Sequence, residues 1–330
     1  MRSASGQANG GNGELRMQAA RLLLQAEHVR SIATRWVRGG DQPFANPEEW
    51  LRRAERSSRR SFDGEALRWR HDGETIIVTL DRAPLNEIGT LALEELERLA
   101  DYLLDGAGGA RALLFHSDIE KGFSAGADLR ELYQGIVDRR AAGVPLLRQA
   151  HELRDFIDRI HRVFDVFDTV PLTTVAAVHG FVFGGGFELA LTADIIIADK
   201  SARFCFPELR LGLVPGFGGV PRLRRDLGNA VVRDLLLTGR SLRASRAFEV
   251  GLVAQVVGRG EALSVATKVA EQAAKFDRTT SALAKPFIKP LPRRDLDREK
   301  ALFTRLFASP VVEEALRKFV TSDDVRPYLP

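Results

Sequence analysis

The stretch His179-Gly180-Phe181-Val182-Phe183-Gly184-Gly185-Gly186-Phe187-Glu188-Leu189-Ala190 changes character at its centre. An apolar strand leads into Gly184–Gly186, and a helical run from Phe187 to Ala193 leaves them. Consecutive glycines expose backbone N–H groups and permit close approach. A helix N-terminus turns those N–H groups outward with the positive end of its dipole, a place for an anion or a developing oxyanion. The plainer alternative is a tight structural turn. A nucleotide-phosphate loop is disfavoured, because the Lys-Ser/Thr pair that such loops carry is absent here. Glu188 sits in the first helical turn. It serves there either as a dipole partner or as an acid beside the glycine backbone.

Two further segments share this grammar. Gly122-Phe123-Ser124-Ala125-Gly126-Ala127-Asp128-Leu129 makes a turn into a helix starting at Asp128 and offers a second backbone donor of the same kind. Phe206-Pro207-Glu208-Leu209-Arg210-Leu211-Gly212-Leu213-Val214-Pro215-Gly216-Phe217-Gly218-Gly219 places one carboxylate, Glu208, in apolar surroundings. Alone, Glu208 reads as a solvated loop residue. Together with Glu188 it can divide acid and base roles, if the two environments push their pKa values apart.

Strands and helices alternate around these segments. Residues 66–70 and 75–80 read as a hairpin turning at His71-Asp72-Gly73. Strands are expected at 112–115, 174–178, 194–198 and 252–257. Helices are expected at 90–104, 145–168, 229–238, 243–250, 261–275, 296–307 and 310–320. Such alternation implies an α/β fold with parallel pairing. Upstream, Leu15, Ala19, Leu22, Ala26, Val29, Ala33 and Trp36 form one stripe of a helix over 14–38, closed by Gly39-Gly40. A second helix starts at Asn46-Pro47 and runs to about Arg56. The domain expectation is a disordered tail over 1–13, an N-terminal helical extension over 14–65, a β/α core over 66–258 and a C-terminal helical region over 259–330.

Composition narrows the function. The 330 residues carry 48 basic and 44 acidic side chains, mixed along the chain, so no basic stripe suggests nucleic acid. No apolar run approaches the roughly 18 residues that a membrane span needs. The N-terminal residues lack a secretory signal's apolar stretch. The single Cys205 permits no internal disulfide and fits a reducing, cytoplasmic setting. Its apolar neighbours Phe204 and Phe206 mark it as core rather than nucleophile. His116, His151, His161 and His179 have no metal-ligand spacing and read as structural.

In order and spacing, the three segments resemble the signature of the enoyl-CoA hydratase/isomerase (crotonase) superfamily. The resemblance spans about residues 67–320 and includes Leu237-Thr238-Gly239-Arg240, Gly251-Leu252-Val253 and Phe307-Ala308-Ser309-Pro310. It implies a ββα spiral core with a C-terminal helical trimerisation region. It also implies an acyl-CoA thioester substrate, a homotrimer or dimer of trimers, and no cofactor beyond the CoA moiety of the substrate. By resemblance, Ala127 and Gly185 supply the oxyanion-hole N–H groups, and Glu188 and Glu208 are the two hydratase glutamates. Arg82, Leu85, Ala125, Gly126, Asp128, Leu129, Gly184, Phe187, Phe206 and Pro207 then lie along the acyl-CoA. Having both glutamates favours hydration of a 2-enoyl-CoA or its reverse. The alternatives are isomerisation, a lyase or decarboxylase reaction, cofactor-independent oxygenation, or acyl-CoA binding without catalysis.

The sequence also departs from its relatives. Phe206 stands where a polar residue is frequent, and Phe187 is bulkier than usual, so both should make the pocket more apolar. Glu87 replaces a small apolar residue. Phe319 is followed by Val320-Thr321-Ser322-Asp323-Asp324 in place of a basic cluster, which leaves Lys318 or the arginines at 222, 224 and 225 as candidates for the CoA phosphates.

Overall fold

Thr75-Ile-Ile-Val-Thr-Leu80 is β-branched and apolar throughout, and every one of its residues is buried. A strand covered on both faces needs that pattern, and it is the centre of the architecture. The computed structural model describes residues 43–44, 46–53, 59–144 and 146–322. The expected tail over 1–13 and helix over 14–38 lie outside them. The first elements are α1 (Pro47–Arg53), β1 (Ser61–Asp63), β2 (Leu67–Asp72), β3 (Thr75–Leu80), α2 (Thr90–Leu104), β4 (Ala112–Ser117), β5 (Gly122–Ser124), α3 (Leu129–Ala141) and α4 (Leu146–Thr169). Next come β6 (Thr173–Val178), β7 (Phe181–Phe183), α5 (Gly185–Ala190), β8 (Ile195–Asp199), β9 (Arg203–Cys205), α6 (Gly219–Leu227) and α7 (Asn229–Thr238). The chain continues through β10 (Leu242–Arg243), α8 (Ala244–Glu249), β11 (Gln255–Val257), α9 (Ala262–Ala274), α10 (Arg278–Ile288), α11 (Arg293–Phe307) and α12 (Pro310–Thr321).

Two sheets result. The larger runs β1-β2-β3-β4-β6-β8-β11, with β1, β2 and β3 antiparallel and each later pair parallel. The smaller runs β10-β9-β7-β5, and its strands β5, β7 and β9 each lead directly into a site segment. On one face of the large sheet, Ile77, Leu114, Val175 and Ile197 pack on Ala262, Ala266 and Ala270 of α9. Alanines at i, i+4 and i+8 share one helix face and let α9 sit close. The other face carries Phe115, whose ring lies 5.2 Å from that of Phe167 on α4.

The structure sharpens the sequence boundaries. The helix from Pro47 covers Pro47–Arg53, and the rest of its expected run to Arg56 lies outside the described residues. Its Trp50 is buried, donates to the Leu103 carbonyl at 2.7 Å and lies under the Arg278 guanidinium. The strand expected over 252–257 shrinks to Gln255–Val257, because the Leu252 and Val253 amides close the end of α8 on the Ala247 carbonyl. Helix α10 was not expected. Pro286 breaks its sequence pattern, because it has no N–H to donate to the Ala282 carbonyl one turn back.

A buried ion network ties α4, α6 and α10 together. Arg222, fully buried, donates to Asp165 at 2.7 Å and to Asp168 at 2.8 Å. Asp168 also meets Lys289 and Arg225, each at 3.0 Å, and Lys285 pairs with Asp194 at 2.9 Å. Burial alone would raise the Asp168 carboxyl, but Lys289, Arg222 and Arg225 together hold it below its ordinary value. Burial pushes Asp165 up to about 6, against the pull of Arg222, Arg293 and Lys300. Removing one partner strands the other charges away from water. Arg222→Met is therefore expected to cost about 3–5 kcal/mol, read as a lower urea midpoint at unchanged slope.

Candidate active site

The site forms where the small sheet ends. Strand β5 delivers residues 124–127, β7 delivers Gly184 and α5, and β9 delivers Phe206 to Glu208. Parallel pairing of β5 with β7 and of β7 with β9 brings all three segments to the same end of the sheet, beyond the C-termini of these strands.

Backbone geometry explains the glycines. Gly126 and Gly184 have positive φ, +100° and +47°, which side chains other than glycine rarely adopt. Space forbids anything larger as well. A Cβ on Gly184 would lie 2.7 Å from Oε1 of Glu208, and one on Gly126 would lie 2.9 Å from the Phe183 carbonyl and 3.0 Å from the Gly185 nitrogen. The Ala127 nitrogen comes within 3.5 Å of the position a Gly185 Cβ would take. The two amides singled out from the sequence are therefore neighbours. Among the described residues neither donates to a protein acceptor, whereas Gly184 N–H is spent on the Cys205 carbonyl and Ala125 N–H on the Leu85 carbonyl.

Both glutamates face the same cavity, of about 50 Å³. Ala125, Ala127, Leu129, Gly184, Gly185, Pro207 and Phe217 also line it. Glu188 is buried, and its Oε1 accepts from the Phe217 and Gly219 amides, each at 2.8 Å. Among the described residues, neither of these two bonds involves its Oε2. Burial raises the Glu188 carboxyl to about 7, against the lowering effect of the Gly219 and Phe217 N–H groups and of Arg222. Glu208 is half-buried as a residue, but its Oε2 is shut off from solvent and has no hydrogen-bond partner. Burial and repulsion from Glu188 push it well above the ordinary carboxylate range. At neutral pH the pair thus holds one readily ionised carboxyl and one that keeps its proton.

A second cavity, of about 220 Å³, shares Ala127, Leu132, Phe217 and Phe303 with the first. Its wall is mainly apolar: Ile88, Ile136, Leu153, Phe156, Ile157 and Phe307. Arg139 and Glu152, paired at 2.7 Å and both partly exposed, mark its solvent end.

Other expected site residues sit differently. Phe187 and Phe206 are fully buried and stack on each other, with centroids 4.6 Å apart. They line neither cavity. They back the carboxylates, with Phe206 beside Glu188 across Gly219. Arg82 is spent on Asp128 at 2.8 Å and on the Glu87 carbonyl at 2.7 Å. Asp128 also caps α3 through the Glu131 amide, and it borders the larger cavity. Leu85 contributes its carbonyl rather than its side chain. Arg222 and Arg225 belong to the buried network, Arg224 pairs with Asp295, and exposed Lys318 pairs with Glu314 at 3.6 Å.

Three contributors were not foreseen. Phe217 and Phe303 line both cavities. Glu299 is a buried acid on the apolar face of α11, between Leu296 and Phe303. An acid at i+3 within an otherwise apolar stripe was the available signal for it.

Residues 71–325 match the family model described as enoyl-CoA hydratase/isomerase. A "Probable enoyl-CoA hydratase" of Rhizobium meliloti is 36% identical over 264 residues, covering 78% of this chain and 95% of that one. A "Carnitinyl-CoA dehydratase" of Salmonella arizonae is 36% identical over 218 residues, covering 63% and 74%. Among solved structures, Pseudomonas aeruginosa DspI superposes with a TM-score of 0.62 at 29% identity, covering 80% of this chain and 97% of its own. Motif order, two-sheet architecture and these likenesses agree: the chain belongs to the enoyl-CoA hydratase/isomerase family.

Proposed function

We infer that the protein is an acyl-CoA enzyme that adds water to a 2-enoyl-CoA or removes it from the 3-hydroxyacyl product. One observation carries this reading. Two carboxyl groups with separated protonation behaviour share a cavity with two unspent backbone amides. The thioester oxygen takes the Ala127 and Gly185 N–H groups, which stabilise the enolate that forms on it. Each such donor is typically worth about 2.7–4 kcal/mol of barrier. Ionised Glu188 removes a proton from water as its oxygen bonds to the β-carbon. Protonated Glu208 delivers its proton to the α-carbon, so one water is consumed and the carboxyl pair keeps one proton. CoA enters as part of the substrate, and the reading requires no further cofactor. The "dehydratase" name of one relative supports the same chemistry run in reverse.

The test is loss of the conjugated thioester absorbance when enoyl-CoAs of several chain lengths are supplied. No turnover at any length would overturn the reading. Exchange of α-hydrogen with deuterated solvent without water addition would favour double-bond isomerisation.

The larger cavity extends from Ala127 and is mainly apolar, which suits the acyl chain. Ile136→Phe, which fills it at mid-length, is expected to lower kcat/KM for an eight- to ten-carbon enoyl-CoA by about 10–100-fold. Crotonyl-CoA, too short to reach that point, should change less than about twofold on the same argument. Equal losses on both substrates would place the chain elsewhere.

Oligomerisation follows the family expectation of a trimer-based assembly. Phe287 and Ile288 at the end of α10, 88% and 74% exposed, suit burial against another copy. No helix among the described residues is long and apolar enough to cross a membrane, and a cytoplasmic location remains part of this proposal.

A further inference from the structure

We propose that Glu299, on α11, is a positioning residue that holds the catalytic geometry of Glu188 through the loop 216–220; this rests on the hydratase reading of Glu188. Four consecutive amides of that loop alternate between two acids. Phe217 and Gly219 donate to Oε1 of Glu188, each at 2.8 Å. Gly218 donates to Oε1 of Glu299 at 2.7 Å, and Val220 to its Oε2 at 2.9 Å. The loop opens α6, whose first N–H groups have no partner within the helix. One carboxylate cannot reach all four, since alternate amides point to opposite sides.

The carbonyl side of the loop is held too. His161, kept neutral by burial, donates from Nε2 to the Gly216 carbonyl at 2.8 Å. Arg222 reaches the Phe217 carbonyl at 3.1 Å. With Oε1 of Glu188 pinned by two amides, only Oε2 remains for water. Where Oε2 points therefore depends on where the loop sits, and Glu299 sets that from the far side. The same helix places Phe303 one turn on, against Gly216 and in both cavities. Docking of α11 and the aim of the base are thus one mechanical unit.

Capping a helix from another element would by itself account for a buried acid. The interleaving with Glu188 adds a consequence that capping does not have. Burial and repulsion from Glu188 push the Glu299 carboxyl upward, but both of its oxygens accept N–H groups, which favours the ionised form, and that charge faces Glu188. The other titratable or charged groups around the pair are Glu208, Arg222 and neutral His161, with Asp165 and Asp168 behind Arg222.

The deciding experiment reads Glu188 directly. In 13C-glutamate-labelled protein, its side-chain carboxyl resonance is identified by its loss in Glu188→Gln and then titrated in wild type and Glu299→Gln. Glutamine keeps the shape and one acceptor but removes the charge, so the midpoint is expected to move toward acid by about half a pH unit or more. Glu299→Asp keeps the charge but shortens the reach. Its slackened amides are expected to move the midpoint the other way by about as much. Should the glutamine variant fail to fold, the aspartate variant decides. A smaller shift in every variant that folds overturns the proposal and leaves Glu299 a cap. If wild type hydrates enoyl-CoA, kcat of folded Glu299→Gln should also fall about 10–100-fold at little-changed KM. Absence of hydration by wild type counts against the hydratase reading alone, because the titration needs no turnover.

Discussion

Glu188→Gln is expected to lower kcat for enoyl-CoA hydration by about 10²–10⁴-fold, with KM changed little. Glutamine keeps the length of the side chain, and its carbonyl oxygen can still accept from Phe217 and Gly219. What it loses is a basic oxygen aimed into the cavity. In the proposed reading substrate binds through the two backbone amides and the apolar cavity, which do not use that oxygen, so KM should hold. The pH profile of wild type carries the same information. Its rate should rise with pH through about 7 as the Glu188 carboxyl ionises, and fall again where the pair loses its second proton. A steady-state kinetic series from pH 5 to 10 checks both limbs. A Glu188→Gln variant that retained most of its activity would remove Glu188 from the role of base.

Glu208→Gln should lose about 10²–10³-fold in kcat, because the other acid lining the cavity, Glu188, is engaged with the water and leaves none to protonate the α-carbon. It should also stabilise the fold above neutral pH. Glu208 keeps its proton in the folded protein well above the value of an exposed glutamate. Below the unfolded-state value, folded and unfolded chains carry the same proton and the group is neutral in the balance. As pH rises past that value, the unfolded chain releases the proton first, and the wild type loses stability until the folded value is reached. Glutamine has no proton to lose. The melting temperature of Glu208→Gln should therefore exceed that of wild type by a few degrees at pH 8 and by less at pH 5. Thermal unfolding at the two pH values measures the difference, and a constant gap would mean that Glu208 is not held protonated. Activity bought with such an uncomfortable buried acid is a familiar trade in enzymes.

Much of the fold was legible because local patterns were strong. The hairpin over 66–80, the buried strand from Ala112 and the helix over 90–104 each announce themselves by periodicity and turn chemistry, and each lies where expected. Helix α10 escaped because Pro286 contradicts it locally, while Lys285 and Lys289 pin it to Asp194 and Asp168 from distant parts of the chain. Tertiary ion pairs outweighed local propensity there. The basic run at 222–225 looked like a reservoir for phosphate contacts. Arg222 and Arg225 instead neutralise buried aspartates of α4, a partnership across more than fifty residues that no spacing rule reveals.

For the site, the sequence by itself determined which residues could act. Gly126 and Gly184 adopt positive φ, Gly185 and Gly186 leave no room for a Cβ, and two acids in apolar runs demand an explanation. It could not determine which side chains face the cavity. Phe187 and Phe206 are as apolar as Phe217 and Phe303, yet the first two stack behind the carboxylates and the last two line the cavities. The difference lies in how β7, β9 and α11 meet, which depends on packing between segments far apart in the chain. Burial also sets the acidity of Glu188 and Glu208, and burial exists only once the chain has folded around them.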